Sequence, residues 1–375
     1  MIELNLTNLE DLARGTAFLA TGGGGDPYIG KLMLKHQLEQ GKKVKIISPD
    51  EIDDDTFACN VLTMGAPTVF GEKAPNGLTS YEAMKKVEEI IGKKFNAIMP
   101  IEAGGVNATL PLVVGALSGL PVIDADGMGR AFPELQMVTY NVGDVSINPL
   151  VVINDFYETG IFNSRNSSSG EWLSRAVCVR MGGICQVACY PMNAKQIRET
   201  SVHNTIKLSF EIGSLIQKAR DDKNDPVEEI IKYMGKSNPP RVGKLLFTGK
   251  IDDLLRETVN GWTRGKMYLK SLNDKDTLLV EFQNEFSYAK LNDNKVLAMV
   301  PDLICALDSE TGEPITTDSL RYGQRIKIVA VSVPPIMRSE KALKLFGPRA
   351  FGLPFDYTPL EDISWWMIQK TKITF

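Results

Sequence analysis

The sequence predicts a two-domain protein, with an α/β N-terminal domain built on a mainly parallel sheet and a β-rich, barrel- or sandwich-like C-terminal domain. Three observations lead to this fold class. The chain of 375 residues is long for a single core. Strand-like and helix-like segments alternate over residues 57–127, which is typical of a parallel sheet with crossover helices. From residue 243 onward, short β segments separated by turn residues follow one another.

The first elements are predicted to be two helices joined by glycines. Apolar residues recur at helical spacing over residues 7–19. A second helix is expected to begin at Asp26, a good N-cap, with Pro27 in the first helical position. The alternation that follows predicts strands at 57–67, 95–101 and 120–127 and helices at 80–92 and 106–119.

The character of the sequence changes near residue 163. Residues 164–172 are Ser-rich and are predicted to form a linker or surface loop, and residues 176–192 to form two strands around a Gly-Gly pair. Helical stretches follow at 193–221 and 226–234 and could pack on either domain. We therefore divide the chain into an α/β ligand-binding domain, 1–165, and a β-rich domain with inserted helices, 166–375, the boundary being open by tens of residues.

Composition and charge exclude several classes of protein. Hydrophobic residues make up 43% of the chain and charged residues 23%, which is typical of soluble globular proteins. The net charge of -4, without a long Lys/Arg run, argues against nucleic acid. The sequence shows neither an apolar membrane span nor a secretory signal, and its five cysteines lack framework spacing. We expect a cytoplasmic homo-oligomer with a small-molecule substrate and no nucleic-acid or membrane partner.

The glycine run in TGGGGDP, residues 21–27, needs a physical reason because glycine is costly to order. Glycines in front of a helix can let a polar or anionic ligand reach its unpaired N–H groups. The run lacks the Lys-Ser/Thr of a P-loop and follows a helix where a dinucleotide loop follows a strand, which argues against ATP and NAD. A tight helix-to-helix turn with positive φ is the alternative explanation.

The ends of the predicted strands carry small residues and carboxylates, at the edge where open parallel sheets bind ligands. Arg130 and Glu134 follow shortly after the third strand. We predict one pocket in which these acids and the guanidinium face the glycine-lined helix start. Capping by either aspartate, with Arg130 as an ion-pair partner, is the structural alternative. The strand-end residues are Gly65, Ala66 and Pro67, then Glu102, Gly104, Gly105 and Asn107, then Asp124 and Asp126.

Histidines and cysteines provide no metal or nucleophile motif. His36 and His203 lie far apart, and Cys178, Cys185 and Cys189 lack zinc-site spacing and are expected to be buried small hydrophobes. No Gly-x-Ser-x-Gly elbow is present. Carboxylate chemistry remains, because an acid with a raised pKa can activate water. No cofactor is evident, and a divalent metal held by the same acids stays open without support from the His/Cys pattern.

Three segments of the second domain stand out. Residues 282–291, FQNEFSYAKL, place Asn284 and Glu285 inside a strand-like stretch, either on a solvent face or in a site. The segment GWTRGK, 261–266, places an arginine at a strand start. The segment GPRAFGLPFDY, 347–357, could close over a pocket or pack on the other domain.

Taken in order, these motifs resemble the S-methyl thiohydantoin desulfurase family, formerly a family of unknown function linked to hydantoinase and oxoprolinase operons. The resemblance implies the two-domain architecture above and hydrolysis of an S-methylated thiohydantoin to a hydantoin with loss of methanethiol. Phe286 stands where the family pattern usually has a second Asn. The matching stretches are 21–33, IEAGGVNA at 101–108, GLPVIDADGMGRAFPELQM at 119–137, Gly-Trp-Thr-Arg-Gly at 261–265, FQNE at 282–285 and GPRAFG at 347–352.

For that chemistry we hypothesise that Asp124 or Asp126 orients water and that Glu102 and Glu134 assist proton transfer. Arg130 and the amides of the glycine run would hold a carboxylate or ring carbonyl. A non-catalytic accessory subunit of a hydantoinase or oxoprolinase system and a small-ligand binding protein are the alternatives. The substrate-binding candidates are Gly22, Gly23, Gly24, Gly25, Asp26, Gly104, Gly105, Asn107, Arg130, Asn284 and Glu285.

Overall fold

The structure is a computed structural model that describes residues 2–73, 75, 77–259, 262–292 and 294–363. Up to residue 203 its elements are β1 (Ile2–Glu3), α1 (Leu9–Leu19), α2 (Pro27–Glu39), β2 (Lys45–Ile47), β3 (Phe57–Gly65), α3 (Pro67–Glu72), α4 (Leu78–Ile91), β4 (Ala97–Met99), α5 (Gly105–Ser118), β5 (Val122–Ile123), β6 (Ala125–Asp126), α6 (Thr139–Val142), β7 (Leu150–Ile153), β8 (Thr159–Phe162), α7 (Ser167–Arg180), β9 (Ile184–Asn193), α8 (Ala194–Thr200) and β10 (Val202–His203). They are followed by α9 (Thr205–Asp221), α10 (Pro226–Gly235), β11 (Gly243–Val259), β12 (Trp262–Ser271), β13 (Thr277–Gln283), β14 (Glu285–Leu291), β15 (Lys295–Met299), β16 (Leu303–Asp308), β17 (Pro314–Ile315), β18 (Arg325–Val331) and α11 (Glu340–Phe346).

The first sheet is mixed, with strand order β1-β2-β5-β4-β3-β9-β7-β8. Its centre is parallel, because β2, β5, β4 and β3 pair in that sense and α4 and α5 provide crossovers. The outer strands β1, β9, β7 and β8 pair antiparallel. This confirms the predicted α/β fold and places the start of α5 beside the carboxyl ends of β3 and β4.

The second sheet is antiparallel, with strand order β15-β14-β13-β12-β11-β18-β16-β17, which confirms the predicted β-rich C-terminal part. Its β14 begins at Glu285, directly after Asn284, and lies close to the glycine run of the N-terminal part. The largest group of buried apolar side chains draws on both sheets, from Met64 and Val187 to Val329 and Phe346. The two parts therefore share a core, and the junction between them is rigidly packed.

The prediction for residues 164–192 is confirmed for the strand after the Gly-Gly pair, which is β9, and is wrong for the residues before that pair. Asn166 accepts a hydrogen bond from the amide of Ser169 at 2.8 Å, and the serines form the first turn of α7. Serine and asparagine cap helices as readily as they form turns, which explains the error. The predicted strand pair is the last turn of α7 followed by the single strand β9. Since β9 pairs with β3, the first sheet reaches beyond residue 165.

The helices between the sheets connect the two parts of the chain. Helix α9 packs against α1, and α10 packs against both α9 and β11. None of the described helices has the length and apolar character needed to cross a membrane.

Candidate functional site

A cavity lies where the end of β3, the turn after β4, the start of α5, the glycine run and the start of β14 meet. Its volume is 60 Å³, and polar and apolar groups contribute about equally to its walls. The ionisable side chains that line it are Glu102, Glu134, Arg175 and Glu285. The cavity thus combines carboxyl groups from both parts of the chain with apolar groups, a usual composition for a small-molecule site.

The glycine run is compact because the protein's own backbone and side chains approach it. A Cβ atom at Gly23 would lie 1.9 Å from Oε1 of Glu285. A Cβ atom at Gly105 would lie 2.2 Å from the carbonyl oxygen of Gly24, which accepts a hydrogen bond from the amide of Val106 at 2.8 Å. Gly24 and Gly25, with φ of +70° and +78°, form the positive-φ turn that was the alternative explanation, and both line the cavity.

Two residues with left-handed (positive φ) backbone conformations fix the position of the first residues of β14. Thr21 has φ +50°, and its carbonyl oxygen accepts the amide of Phe286 at 2.8 Å. Asn284 has φ +57°, and its Oδ1 accepts the amide of Thr263 at 2.8 Å. Such a conformation is unusual for a β-branched threonine and persists only where the surroundings enforce it. These contacts fix the backbone from which the Glu285 side chain enters the cavity.

Glu102 is buried, with 4% of its surface exposed. Its Oε1 accepts a hydrogen bond from Nδ2 of Asn107 at 2.7 Å, and its Oε2 accepts the amide of Phe132 at 3.3 Å. Asn107 is fixed in turn by the backbone of Thr63, whose amide it accepts at 2.7 Å and whose carbonyl it donates to at 3.1 Å. Burial first, and then the charge of Glu285, raise the pKa of Glu102 well above its ordinary value.

Glu285 is also buried, with 3% of its surface exposed. Its Oε2 has no hydrogen-bond partner in the described part of the chain. Burial raises the pKa of Glu285 to about 8, although the charge of Arg130 and the amide of Gly24 oppose that shift. Two carboxyl groups in one cavity, both with raised pKa values, are suited to divide the roles of acid and base.

The mouth of the cavity carries a second group of charges. Arg175 pairs with Glu171 at 2.7 Å, and its Nη2 donates to the carbonyl of Pro133 at 3.0 Å. Glu134 accepts a hydrogen bond from Gln136, and burial followed by the charge of Glu171 raises the pKa of Glu134. Glu134 therefore lies in the predicted pocket, at its rim.

The prediction that Asp124 and Asp126 line this pocket is wrong. Asp124 accepts the amides of Ile206 at 2.7 Å and Lys207 at 3.2 Å, so it caps helix α9. Asp126 accepts the amides of Met128 and Gly129, both at 2.6 Å. Asp124 and Oδ1 of Asp126 accept backbone amides because the strands end in tight loops whose N–H groups need partners, whereas Oδ2 of Asp126 has no hydrogen-bond partner in the described part of the chain. Asp126 contributes indirectly, since Met128 forms part of the cavity wall.

A cap role for Asp124 predicts the effect of removing its carboxylate. Asp124→Ala is expected to lower the free energy of unfolding by about 0.5–2 kcal/mol, as for other N-cap losses. Asp26→Ala is the matched control. Asp26 caps α2 by accepting the amide of Tyr28 at 2.8 Å, so its removal should cost a similar free energy. Urea denaturation measures both. An Asp124→Ala protein of unchanged stability would contradict the cap role.

Arg130 is fully buried and donates all its hydrogen bonds to the protein. The prediction that its guanidinium holds a ligand is therefore wrong, because the side chain connects the two parts of the chain and is absent from the cavity lining. Burial lowers its pKa to about 10. Its acceptors are the carbonyl of Ala131 at 3.0 Å, those of Pro301 at 3.3 Å and Asp302 at 2.7 Å, Oγ1 of Thr21 at 2.7 Å and the carbonyl of Phe286 at 2.9 Å.

The remaining predicted residues divide by position. Asn107, Asn284 and Glu285 line the cavity with Gly24 and Gly25, whereas Gly22, Gly23, Gly104, Gly105 and Asp26 are outside the lining. The cysteines are free and buried, as predicted. Among the described residues, no group of three or more His, Cys, Asp or Glu side chains could hold a metal ion. Gly261, part of the GWTRGK segment, lies outside the described residues.

Sequence reasoning did not identify Arg175 or Thr63 as site residues. Arg175 lies on α7, the helix whose first turn was interpreted as a loop, so no helical face was available for it. The Glu171 and Arg175 pair at i,i+4, behind the Asn166 cap, is the signal that could have found it. Thr63 acts through its backbone, which leaves no mark on the sequence.

Comparisons with known proteins cover the whole site. The S-Me-THD-like N-terminal domain family matches residues 7–164, and the S-Me-THD-like C-terminal domain family matches residues 165–360. A crystal structure of a protein from Chromobacterium violaceum is similar in fold, with a TM-score of 0.81 and 23% sequence identity over 96% of this chain and 100% of that one. None of the curated proteins matches the chain significantly.

Proposed function

The chain belongs to the S-Me-THD-like family, and we propose that it is a hydrolase that converts S-methyl thiohydantoins to hydantoins with release of methanethiol. The observation that carries the proposal is the pair of buried carboxyl groups, Glu102 and Glu285, in one small cavity. Hydrolysis of a carbon–sulfur bond next to a ring nitrogen needs a base at the water and an acid at the ring.

Glu285 is the base in the first step. The charge of Arg130 and the amide of Gly24 favour its ionised form, and its Oε2 is free to accept a proton from water. The water oxygen bonds to the ring carbon that carries sulfur, and one water proton passes to Glu285. Protonated Glu102, oriented by Asn107, gives its proton to the ring nitrogen. The product is a tetrahedral carbon that carries hydroxyl and S-methyl groups.

The second step returns both carboxyl groups to their starting protonation states. The carbon–sulfur bond breaks, and the leaving methylthiolate takes the proton held by Glu285. The hydroxyl gives its proton to ionised Glu102 as the ring carbonyl forms. One water is consumed, one methanethiol and one hydantoin are released, and no electrons are exchanged. Because Glu102 and Glu285 are buried, the low local dielectric strengthens the electrostatic interactions that assist these proton transfers.

The base role predicts a pH dependence. Because the pKa of Glu285 is raised to about 8, the fraction of Glu285 in the carboxylate form increases about tenfold for each unit by which pH rises toward that value. We expect kcat/KM to rise about tenfold per unit on the acidic side and to level off above pH of about 8. Initial rates in buffers of constant ionic strength measure the profile. A rate that is flat across this range would contradict the role.

A thiol assay tests the function itself. The purified protein is incubated with an S-methyl thiohydantoin, and released methanethiol is read with a colorimetric thiol reagent. The cysteines of the protein are buried, so a protein-only control gives the background. Thiol and hydantoin formed in equal amounts support the proposal. Binding of the ring without thiol release would favour a ligand-binding protein.

A further inference from the structure

An open groove continues outward from the cavity. Its volume is 640 Å³, and Glu134 and Arg175 line both the groove and the cavity, so the groove adjoins the cavity at these two side chains. Trp262 contributes to the groove, and its Nε1 donates to the carbonyl of Pro133 at 3.3 Å, in the cavity wall. The groove therefore begins where a ligand in the cavity would emerge.

The groove has an apolar, aromatic floor. Trp172, Ala176 and Val179 recur at helical spacing on α7, and all three line the groove. Trp172 is 74% exposed and Val179 is 47% exposed. Across the groove, the guanidinium of Arg175 lies 5.1 Å from the ring centroid of Trp262, which holds the second indole in place. Two indole rings thus border one groove.

The size of the cavity decides what the groove can hold. A single water needs roughly 10–15 Å³ on this scale, so the cavity's 60 Å³ leaves little room beyond a small ring and its S-methyl group. Any larger substituent on the ring has to leave through the mouth. There it meets the exposed indole of Trp172, whose face suits an aromatic partner, beside Trp262.

We infer that this groove is the subsite for the ring substituent and that it selects substrates with an aromatic side chain. The inference rests on the proposed function, because the ring itself occupies the cavity. Trp172 is the specificity-determining residue, since its ring is the most exposed apolar surface of the groove. Glu171 and Arg175 pair with each other, and the exposed indole of Trp172 provides the contact beside the other charged side chains of the groove, Glu134 and Arg180.

The experiment compares unsubstituted and benzyl-substituted S-methyl thiohydantoin as substrates. The ratio of their kcat/KM values is measured for the natural protein, for Trp172→Ala and for Phe156→Ala, a matched loss of an aromatic ring that is 84% exposed and outside the groove. Trp172→Ala is expected to lower the preference for the benzyl compound about three- to tenfold, through KM. Phe156→Ala is expected to leave the ratio unchanged. An unchanged ratio in Trp172→Ala overturns the inference and leaves the hydrolase proposal intact.

Binding of the products tests the groove without turnover. Hydantoin and benzylhydantoin are titrated calorimetrically into the same three proteins, and benzylhydantoin is expected to bind more tightly than hydantoin except in Trp172→Ala. If no thiol is released but this binding pattern is observed, the proposed hydrolase activity is contradicted and the subsite is supported. Equal affinities for the two compounds, or self-association of the protein that Trp172→Ala abolishes, would overturn the subsite and assign the face to a second copy of the chain.

Discussion

Glu285→Gln is expected to lower kcat for thiol release by about 10²–10⁴-fold, the usual size of a general-base contribution. The amide keeps the shape of the carboxyl group but cannot accept the proton from water. The remaining activity should lose the rise toward a pH of about 8 that ionisation of Glu285 causes. Steady-state rates from about pH 6 to about pH 10, roughly two units to either side of the expected inflection, measure both effects.

Stability provides the control for this variant. The pKa of Glu285 is raised from 4.5 to about 8 by burial, so the folded state binds the proton more tightly than the unfolded state. Stability is therefore greatest below the unfolded pKa and falls as pH rises to the folded pKa, by up to about 1.4 kcal/mol per unit. Gln lacks this loss, so Glu285→Gln should gain stability relative to the natural protein over that window.

Glu281→Gln is the matched control, because Glu281 lies in the neighbouring strand and pairs with Lys266 at 3.1 Å. This variant should change neither the rate of thiol release nor the dependence of stability on pH. Equal loss of activity in both variants would point to disturbance of the sheet.

Arg130→Met is expected to lower the free energy of unfolding by about 3–5 kcal/mol, as when one partner of a buried charge network is removed. The methionine fills most of the space but leaves the carbonyls of Asp302 and Phe286 and the hydroxyl of Thr21 without their donor. It also removes the cation that favours ionised Glu285. Urea denaturation followed by circular dichroism measures the loss.

Two further variants keep this test decisive. Arg130→Lys retains the charge but can donate fewer hydrogen bonds. Its free energy of unfolding should lie between those of Arg130→Met and the natural protein, and it can be measured even if Arg130→Met does not fold. Arg256→Met removes an exposed arginine that donates to the carbonyls of Thr317 at 2.7 Å and Asp318 at 2.9 Å, and should change stability by less than about 1 kcal/mol. If Arg130→Met were as stable as the natural protein and had a raised KM, the result would contradict the structural role and support a contact between Arg130 and the ligand.

Local sequence signals were sufficient for much of the fold. Helical periodicity and the Asp26-Pro27 pair located the start of α2, and alternation of strands and helices located the parallel centre of the first sheet. They failed over residues 167–180, which form α7 where a loop and a strand were predicted. The pairing of β9 with β3 is a contact between distant residues, and local pattern carries no information about it.

The site was predicted in part, for a physical reason. Glu102, Asn107 and Glu285 were identified by residue type and strand position, and the structure brings them to one cavity. Asp124 and Arg130 were selected on similar grounds, as charged residues at or shortly after a predicted strand end, but Asp124 accepts backbone amides of α9 and Arg130 donates mostly to backbone carbonyls. Sequence shows which side chains can do chemistry, whereas only the fold shows which ones the backbone has already satisfied.

The most direct test of the central claim is a crystal structure of Glu285→Gln with an S-methyl thiohydantoin bound. The account predicts that the ring occupies the cavity, with its sulfur-bearing carbon between Glu102 and position 285 and its nitrogen within hydrogen-bond reach of Glu102, about 2.6–3.2 Å. A ring bound beside Asp124 and Asp126, or elsewhere with the cavity empty, would contradict it.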